Sequence, residues 1–486
     1  MAVSFKSDES FLRKLAVGAI GTKATIKRVA ALGYEPIELE RGSTGYKIWK
    51  KIKIKRIRVP DILCLRSGQR FESRGKTKLE ISMSHSLRDP YRAWDAGMRP
   101  DDLVAIVLCQ QASESPVDWE VISPIHFVKV EDMREAVAKD HVKVTEPKGV
   151  EEGSEIRIIW PCVTANEESV VAEVTHKSIK LISQASGATQ RCTLTRKRFS
   201  LLPQCQVGEV VQKHQIVAST VPISLSPVRK VEVDEQFFLA RLQSASLSER
   251  YAAAKALRFR GYQESSAPLK GRMLDEEEDI YVRLEAAAAL AAHDDLSGWA
   301  FLKQSLNSDY LTIQLETVIV ISEIVQPQSE QMLIAVLADP NRDSEVRAGA
   351  AWALGEFKTR EVTSALVDTF NSTSLEIKTE AARALLKIAP AQIAALIEAF
   401  QTIDSSKRDG IAWALARAGG FDIAKLLNDQ QDLNLRKWIS YIAGYGRSLF
   451  AEEQINELRK IDAEVHFAAS VLWQLLASWI YGLEEY

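Results

Sequence analysis

Three regimes of hydrophobic patterning divide the 486 residues. From Ser10 to Leu32, apolar positions such as Leu15, Ile20, Ile26 and Val29 recur at helical spacing. They predict a helix broken near Gly18 to Thr22 and stopped at Gly33. Ile37 to Leu39 reads as a short strand. From Lys51 the period is two, with Lys51, Lys53 and Lys55 on one face and Ile52 and Ile54 on the other. Asp61 to Leu65 and Arg70 to Ile81 then read as two strands joined by a tight turn at Ser67-Gly68. Leu103 to Leu108 is a further apolar strand, Pro124 to Val130 a terminal one, and Glu131 to Lys139 a short helix.

Between about 141 and 230 the helical period vanishes. Short β-rich runs follow one another: Glu155 to Trp160, Ser169 to Val174, Ser178 to Ile182 and Gln190 to Leu194, punctuated by Gly187 and Pro203. They predict a small antiparallel sheet or barrel. Val207 to Ala218 resembles the closing hairpin of lipoyl-type domains but lacks their modified lysine turn. Thr195-Arg-Lys-Arg198 is a compact basic cluster, equally a solvated loop or a backbone-tracking patch.

From about 234 the chain repeats itself. Arg250 to Leu257, Arg283 to Leu290, Arg347 to Leu354 and Lys378 to Leu385 match closely in an Arg/Lys–Ala–Leu pattern. Gln314 to Ile321, Arg408 to Leu415 and Arg436 to Ala443 are weaker copies. Alanines permit close helix approach and leucines bury against the next copy, so such units are stable only when stacked. This array resembles short HEAT-like repeats of two helices each, a type also found in phycobilisome lyases. The repeated first-position Arg or Lys forms either a basic rim or a recurring capping or interhelical ion pair.

Composition sharpens the division. Hydrophobic residues make up 46% and charged residues 26%, ordinary globular values, and the length implies two to four domains. No apolar run reaches a membrane span and the N-terminus lacks a secretory core. Five scattered cysteines without CxxC pairing read as reduced thiols, so a cytoplasmic protein is expected. The net charge of −3 averages unlike segments: Arg41 to Lys78 holds 13 Lys or Arg against two acids, Asp61 and Glu72. Such a block implies a polyanionic partner or a solvated strand face.

The two acids carry the candidate chemistry. Glu72, Arg74, Lys76, Lys78 and Glu80 share one strand parity, which continues toward Asp61. Alternating carboxylates and cations on one face can hold Mg²⁺, which prefers one or two carboxylates plus water and phosphate oxygens. Pro60-Asp61, ten intervening residues, Glu72 and the following cations resemble the PD-(D/E)xK nuclease superfamily, over about a quarter of the chain. The resemblance implies a restriction-endonuclease-like α/β fold and a metal-dependent DNA endonuclease. Asp61 and Glu72 would be the Mg²⁺ ligands, with Mn²⁺ able to substitute. It departs at Arg74, where the superfamily has lysine; arginine is a poor general base. Lys76, one repeat further on, is therefore the expected catalytic lysine and Arg74 a phosphate contact. The superfamily's additional first-helix acid points to Glu9. Lys51, Lys53, Lys55, Arg58, Lys78 and His85 are the expected nucleic-acid contacts.

The expectation is thus a multidomain protein. It has an α/β nuclease-like domain (1–140), a β-rich barrel or sandwich (141–233) and an all-α HEAT-like solenoid (234–486). DNA is the expected partner, with a protein partner through the repeats and no membrane. The competing reading is a non-catalytic nucleic-acid-binding adaptor or a scaffold built on the solenoid.

Overall fold

The computed structural model describes residues 8–40, 57–113, 118–146, 155–227, 231–261, 263–427 and 432–479, the side chains of 8–12 and 476–479 excepted. The basic run with Lys51, Lys53 and Lys55, expected as a strand, and the Glu9 side chain lie outside the described residues. The chain divides into two compact units near residue 268.

The first unit is built on a mixed sheet flanked by helix α1 (Asp8–Ala31). Strands β1 (Pro36–Glu38), β2 (Ile62–Cys64) and β3 (Arg70–Lys76) form an antiparallel meander. Gly68, at φ +65°, makes the turn between β2 and β3. After strand β4 (Ile81–Ser86), strand β5 (Leu103–Gln111) returns parallel to β3, with Glu72 opposite Val104. Strands β6 (Trp119–Val121) and β7 (His126–Lys129) flank β5 antiparallel. Helix α2 (Val130–Ala138) follows.

Helix α1 is continuous through Gly18 to Thr22, where the sequence predicted a break. The glycine serves packing instead. Gly21 meets Gly75 of β3, and a Cβ on Gly75 would overlap the Val17 carbonyl. Thr25 hydrogen-bonds the Ser73 hydroxyl at 3.1 Å. On this face Phe71, Ala105, Val107 and Phe127 pack under Val17 and Val29.

The opposite face is covered by a second core around Val104, Ile106, Met133, Trp94 and Trp160. The two tryptophans meet edge-on at 5.1 Å. Trp160 comes from strand β9 (Glu155–Trp160), which pairs with β4 and with β8 (Lys143–Val144). The run Glu155 to Trp160, read from sequence as part of the middle domain, thereby crosses the 140/141 boundary.

A small antiparallel β-domain follows. One sheet has the order β10 (Cys162–Thr164), β16 (Ile216–Ser219), β14 (Leu202–Pro203). The other has the order β13 (Thr189–Thr193), β12 (Ser178–Ser183), β11 (Ser169–Val174), β15 (Val210–Val211). Val171, Leu181, Leu194 and Val217 fill its centre. His126 anchors it to the larger sheet: its Nε2 accepts the Ile216 N–H at 2.9 Å. Helices α3 (Glu235–Leu242) and α4 (Leu247–Leu257), read from sequence as the start of the solenoid, also pack in this unit. Arg70, 1% exposed, joins α4 to the sheet. Its guanidinium pairs with buried Asp102 at 2.5 Å and donates to the Ser248 hydroxyl at 2.8 Å.

Helix α5 (Ser266–Leu274) spans the division, and the second unit is all helical among its described residues. It runs α6 (Ile280–Ala292), α7 (Leu296–Ser305), α8 (Leu311–Ser322), α9 (Pro327–Ala338), α10 (Ser344–Leu354), α11 (Arg360–Asp368), α12 (Leu375–Thr402), α13 (Arg408–Ala418), α14 (Leu433–Tyr445), α15 (Glu452–Ile461) and α16 (Ala463–Trp479). Every repeat copy found in the sequence from Arg283 onward lies within one of these helices. Ala286 to Ala291 and Ala350, Ala351 and Ala353 are fully buried, which lets the helices approach closely. Aspartates Asp279, Asp295, Asp343 and Asp432 cap α6, α7, α10 and α14. Helix α12 fuses two repeat helices across a kink at Gln392, just after Pro390. Among the described residues, only this helix has the length and apolar content to cross a bilayer, and about a third of its most apolar stretch is buried in the array.

Candidate functional site

The first-unit sheet brings Asp61 and Glu72 together from adjoining segments. Asp61 directly precedes β2, and its Oδ2 accepts the Ser73 N–H at 2.7 Å, which holds it beside Glu72 on β3. Glu72 pairs with Arg74 at 2.6 Å, two residues along the same face. Both carboxyls are under a tenth exposed. Burial, then the charges of Glu72 and Glu40, raise Asp61 well above its usual range. Burial pushes Glu72 up to about 7, against the pull of Arg74. Arg58 also lies close enough to lower Glu72.

Glu40 was not singled out in the sequence. Leu39 donates its N–H to the Asp61 carbonyl at 2.7 Å, which extends the β1–β2 pairing and brings Glu40 toward the cluster. No motif marks position 40; only the strand register reveals it.

Lys76 is placed differently from Arg74. Strand β3 ends there, so Lys78 and Glu80 do not continue its charged face. The Lys76 ammonium donates to the Ser82 carbonyl at 2.6 Å and lies 3.1 Å from the Ser82 hydroxyl. Its charged neighbours are Arg74, Arg157 and Glu80, and burial first, then the two arginines, lower it to about 8. Lys78 is exposed on the connection that follows. The His85 Nδ1 accepts the Trp94 N–H at 3.3 Å, a bond that ties β4 to the Trp94 segment.

Among the described residues, no group of three or more His, Cys, Asp or Glu side chains forms a ready cage. Asp61 and Glu72 are hard oxygen donors, crowded with Glu40 in a setting that disfavours their negative charge. A divalent cation would relieve that repulsion, and two carboxylates are what Mg²⁺ accepts. The residues fit a Mg²⁺ site of the two-carboxylate kind, one of whose ligands already carries an arginine.

In the second unit the recurring first-position arginine has an internal task. Arg283 Nε donates to the Met273 carbonyl at 3.0 Å, Arg347 Nε to Leu337 at 2.9 Å and Arg408 Nε to Phe400 at 3.1 Å. Each satisfies a carbonyl in the last turn of the preceding helix. These three arginines are caps; at the same repeat position Arg436 pairs with Asp462 at 2.7 Å and Lys378 lines a cleft.

A different repeat position faces outward. The sixth residue of consecutive copies is Trp352, Arg383, Trp413 and Tyr441, each partly exposed, while the residue after it is buried in all four. Three of these four line a cleft of about 570 Å³ across α12, α13 and α14. Aligning the copies would have revealed this ladder; reading only their shared Ala and Leu concealed it.

Comparison with known proteins agrees with the helical half. The HEAT repeat family model matches residues 299–386 and 330–416. No curated protein is significantly similar to the sequence. Among solved structures, the phycocyanin lyase CpcE–CpcF complex of Nostoc sp. PCC7120 is 17% identical, covering 51% of this chain and 97% of that one, with a TM-score of 0.26. An archaeal HEAT-like repeats protein from Thermococcus onnurineus NA1 is 14% identical, covering 44% and 97%, TM-score 0.24. Human deoxyhypusine hydroxylase is 19% identical, covering 44% and 84%, TM-score 0.20. The C-terminal region carries HEAT repeats, preceded by a sheet-rich region.

Proposed function

We propose that this chain is a protein-binding adaptor whose HEAT array docks a partner. One observation carries the reading: the outward ladder Trp352, Arg383, Trp413, Tyr441 on otherwise alanine- and leucine-packed helices. Trp, Tyr and Arg are the side chains that dominate protein interfaces. The array's charge supports a protein over a nucleic acid. Residues 269–486 hold 20 Lys or Arg against 33 Asp or Glu, a net charge of −13, which repels phosphate backbones. Cross-linking mass spectrometry of the full chain in its native extract tests this. Links from the array to a defined protein are expected; links confined to residues before 268 would overturn it.

A second reading is favoured by the convergence of Asp61, Glu72 and Glu40 beside Arg74 and Arg58. It is Mg²⁺-dependent hydrolysis of DNA phosphodiesters by the first unit. Residues 1–268 hold 42 Lys or Arg against 32 Asp or Glu, net +10, which suits a polyanion. Asp61 and Glu72 would hold the ion, which when bound acidifies an attacking water and offsets charge on phosphorus. Arg74 and Arg58 would hold phosphate oxygens. Lys76, lowered to about 8, can exchange a proton near neutral pH. Supercoiled plasmid nicked in Mg²⁺ by the wild type, but not by Glu72→Ala or in EDTA, would support it. Absence of both cleavage and a Mg²⁺ binding heat would remove it.

A further inference from the structure

The cleft on α12, α13 and α14 has a composition unlike the rest of the array. Trp413 and Arg417 stand four residues apart on α13; Trp438, Tyr441 and Tyr445 share one face of α14. All five are partly exposed. Gly410 allows the buried Phe370 ring to press against α13, where any side chain would overlap it. The cleft is therefore shaped from below by a ring packed on bare backbone.

Its central cation is held in one plane. The Arg417 guanidinium lies 3.9 Å from the Trp413 ring centre and 4.2 Å from that of Tyr445. Tyr445 in turn stacks on Tyr441 at 5.7 Å, and Trp438 meets Tyr441 edge-on at 5.8 Å. Its Nη1 donates to the Trp413 carbonyl at 3.4 Å and to the Tyr441 hydroxyl at 3.5 Å, which fixes the guanidinium against the rings; a cation so placed suits a planar carboxylate. Lys378 adds a second cation from α12, and Asp409 is the cleft's acidic side chain. Arg383 is paired with Glu380 at 2.7 Å.

The setting limits the occupant. The volume falls within the range that holds a small molecule or a few side chains. A local cationic spot on an array of net charge −13 attracts one anionic group at short range but repels an extended polyanion. The exposed rings offer apolar area with little entropy to lose.

We propose that this cleft binds a short peptide segment of a partner protein. One carboxylate of the segment is held by Arg417 and Lys378, and an adjacent apolar or aromatic side chain sits among Trp413, Trp438 and Tyr445. The inference rests on the adaptor reading and deepens it by naming the partner's chemistry.

The test is selection of a displayed random-peptide library on the immobilised full chain, followed by fluorescence anisotropy with the enriched peptides. Enriched sequences should share an Asp or Glu beside an aromatic or aliphatic residue. Arg417→Ala and Lys378→Ala should each weaken binding by about tenfold, as should replacing the peptide carboxylate by its amide. Trp413→Ala should weaken it further. Thermal melting checks that each variant is folded, and Lys378→Ala, at a partly exposed position, keeps the test usable if Trp413→Ala unfolds. Failure to enrich such peptides, or binding indifferent to Arg417 and Lys378, overturns the proposal. So does labelled oligothymidylate binding that the same substitutions abolish, which would make the cleft a nucleic-acid site. Array cross-links to a partner that survive these substitutions would refute the cleft while leaving the adaptor reading intact.

Discussion

The two regions of this chain differ in what their arginines do besides pairing with carboxylates. In the first unit, arginines are set against carboxylates: Arg70 against Asp102 in the core, Arg74 against Glu72 at the candidate metal site. In the helical array the recurring arginines close helix ends, and a stacked one, Arg417, is turned outward. The first region concentrates charge in a buried cluster of fixed geometry. The second uses three recurring arginines as helix caps, pairs Arg383 with Glu380 and Arg436 with Asp462, and carries an aromatic ridge on its surface. Chemistry needs the first arrangement; docking needs the second.

The strongest way to break this comparison is at Arg70. Arg70→Ala leaves the buried Asp102 with Arg99, at 3.2 Å, as its remaining cation and should cost about 3 kcal/mol. Hydrogen exchange should then rise in β3 and β5 while the helices beyond α6 keep their protection. Loss of protection throughout would show that the two regions do not unfold separately.

The pH dependence sharpens the contrast within the first unit. Glu72 is raised to about 7 in the folded state, so its favourable neutral form is fully present below the ordinary carboxylate value. That contribution is lost as pH rises toward 7, by up to about 3 kcal/mol. His126 is lowered to about 4 by burial, with Nε2 committed to the Ile216 N–H. Its contribution is present above the ordinary histidine value and lost as pH falls toward 4, by a similar amount. The two slopes oppose one another in the wild type. Because Asp61 is raised in the same direction as Glu72, denaturant midpoints of Glu72→Gln should fall less steeply with pH between 4 and 7 than the wild type's, and those of His126→Gln should fall more steeply. Parallel curves for both variants would contradict the assignment.

A smaller effect is expected where α1 meets the sheet. Gly75→Ala should lose about 1–3 kcal/mol through overlap with the Val17 backbone, seen as a lower thermal midpoint. The mildest is in the array. Asp343→Ala removes the cap bonded to the Glu345 N–H at 2.8 Å and should cost about 1 kcal/mol. Its exchange effect should stay near the start of α10, because a stacked array senses damage through nearest neighbours.

Much of the array was legible because each repeat writes the same burial pattern into its alanines and leucines. The sheet was legible only in part. Strand parity placed Glu72 and Arg74 on one face, and that face runs unbroken through Gly75. It did not show that β3 stops at Lys76, because the turn of Lys76 toward Ser82 depends on β4. Gly18 and Gly21 were read as breakers because local propensity favours that; close contact with Gly75 is a tertiary fact. Glu155 to Trp160 pairs with a strand some seventy residues earlier, and period-two patterning carries no information on its partner. Glu40 reaches the cluster through register alone.

The most direct measurement compares cross-linked partners of the full chain in native extract for the wild type, Glu72→Gln and the Trp413→Ala/Arg417→Ala pair. The adaptor account predicts that Glu72→Gln retains the partner and the paired cleft variant loses it. A partner retained by the cleft variant and lost with Glu72→Gln would place the function in the sheet and contradict the account.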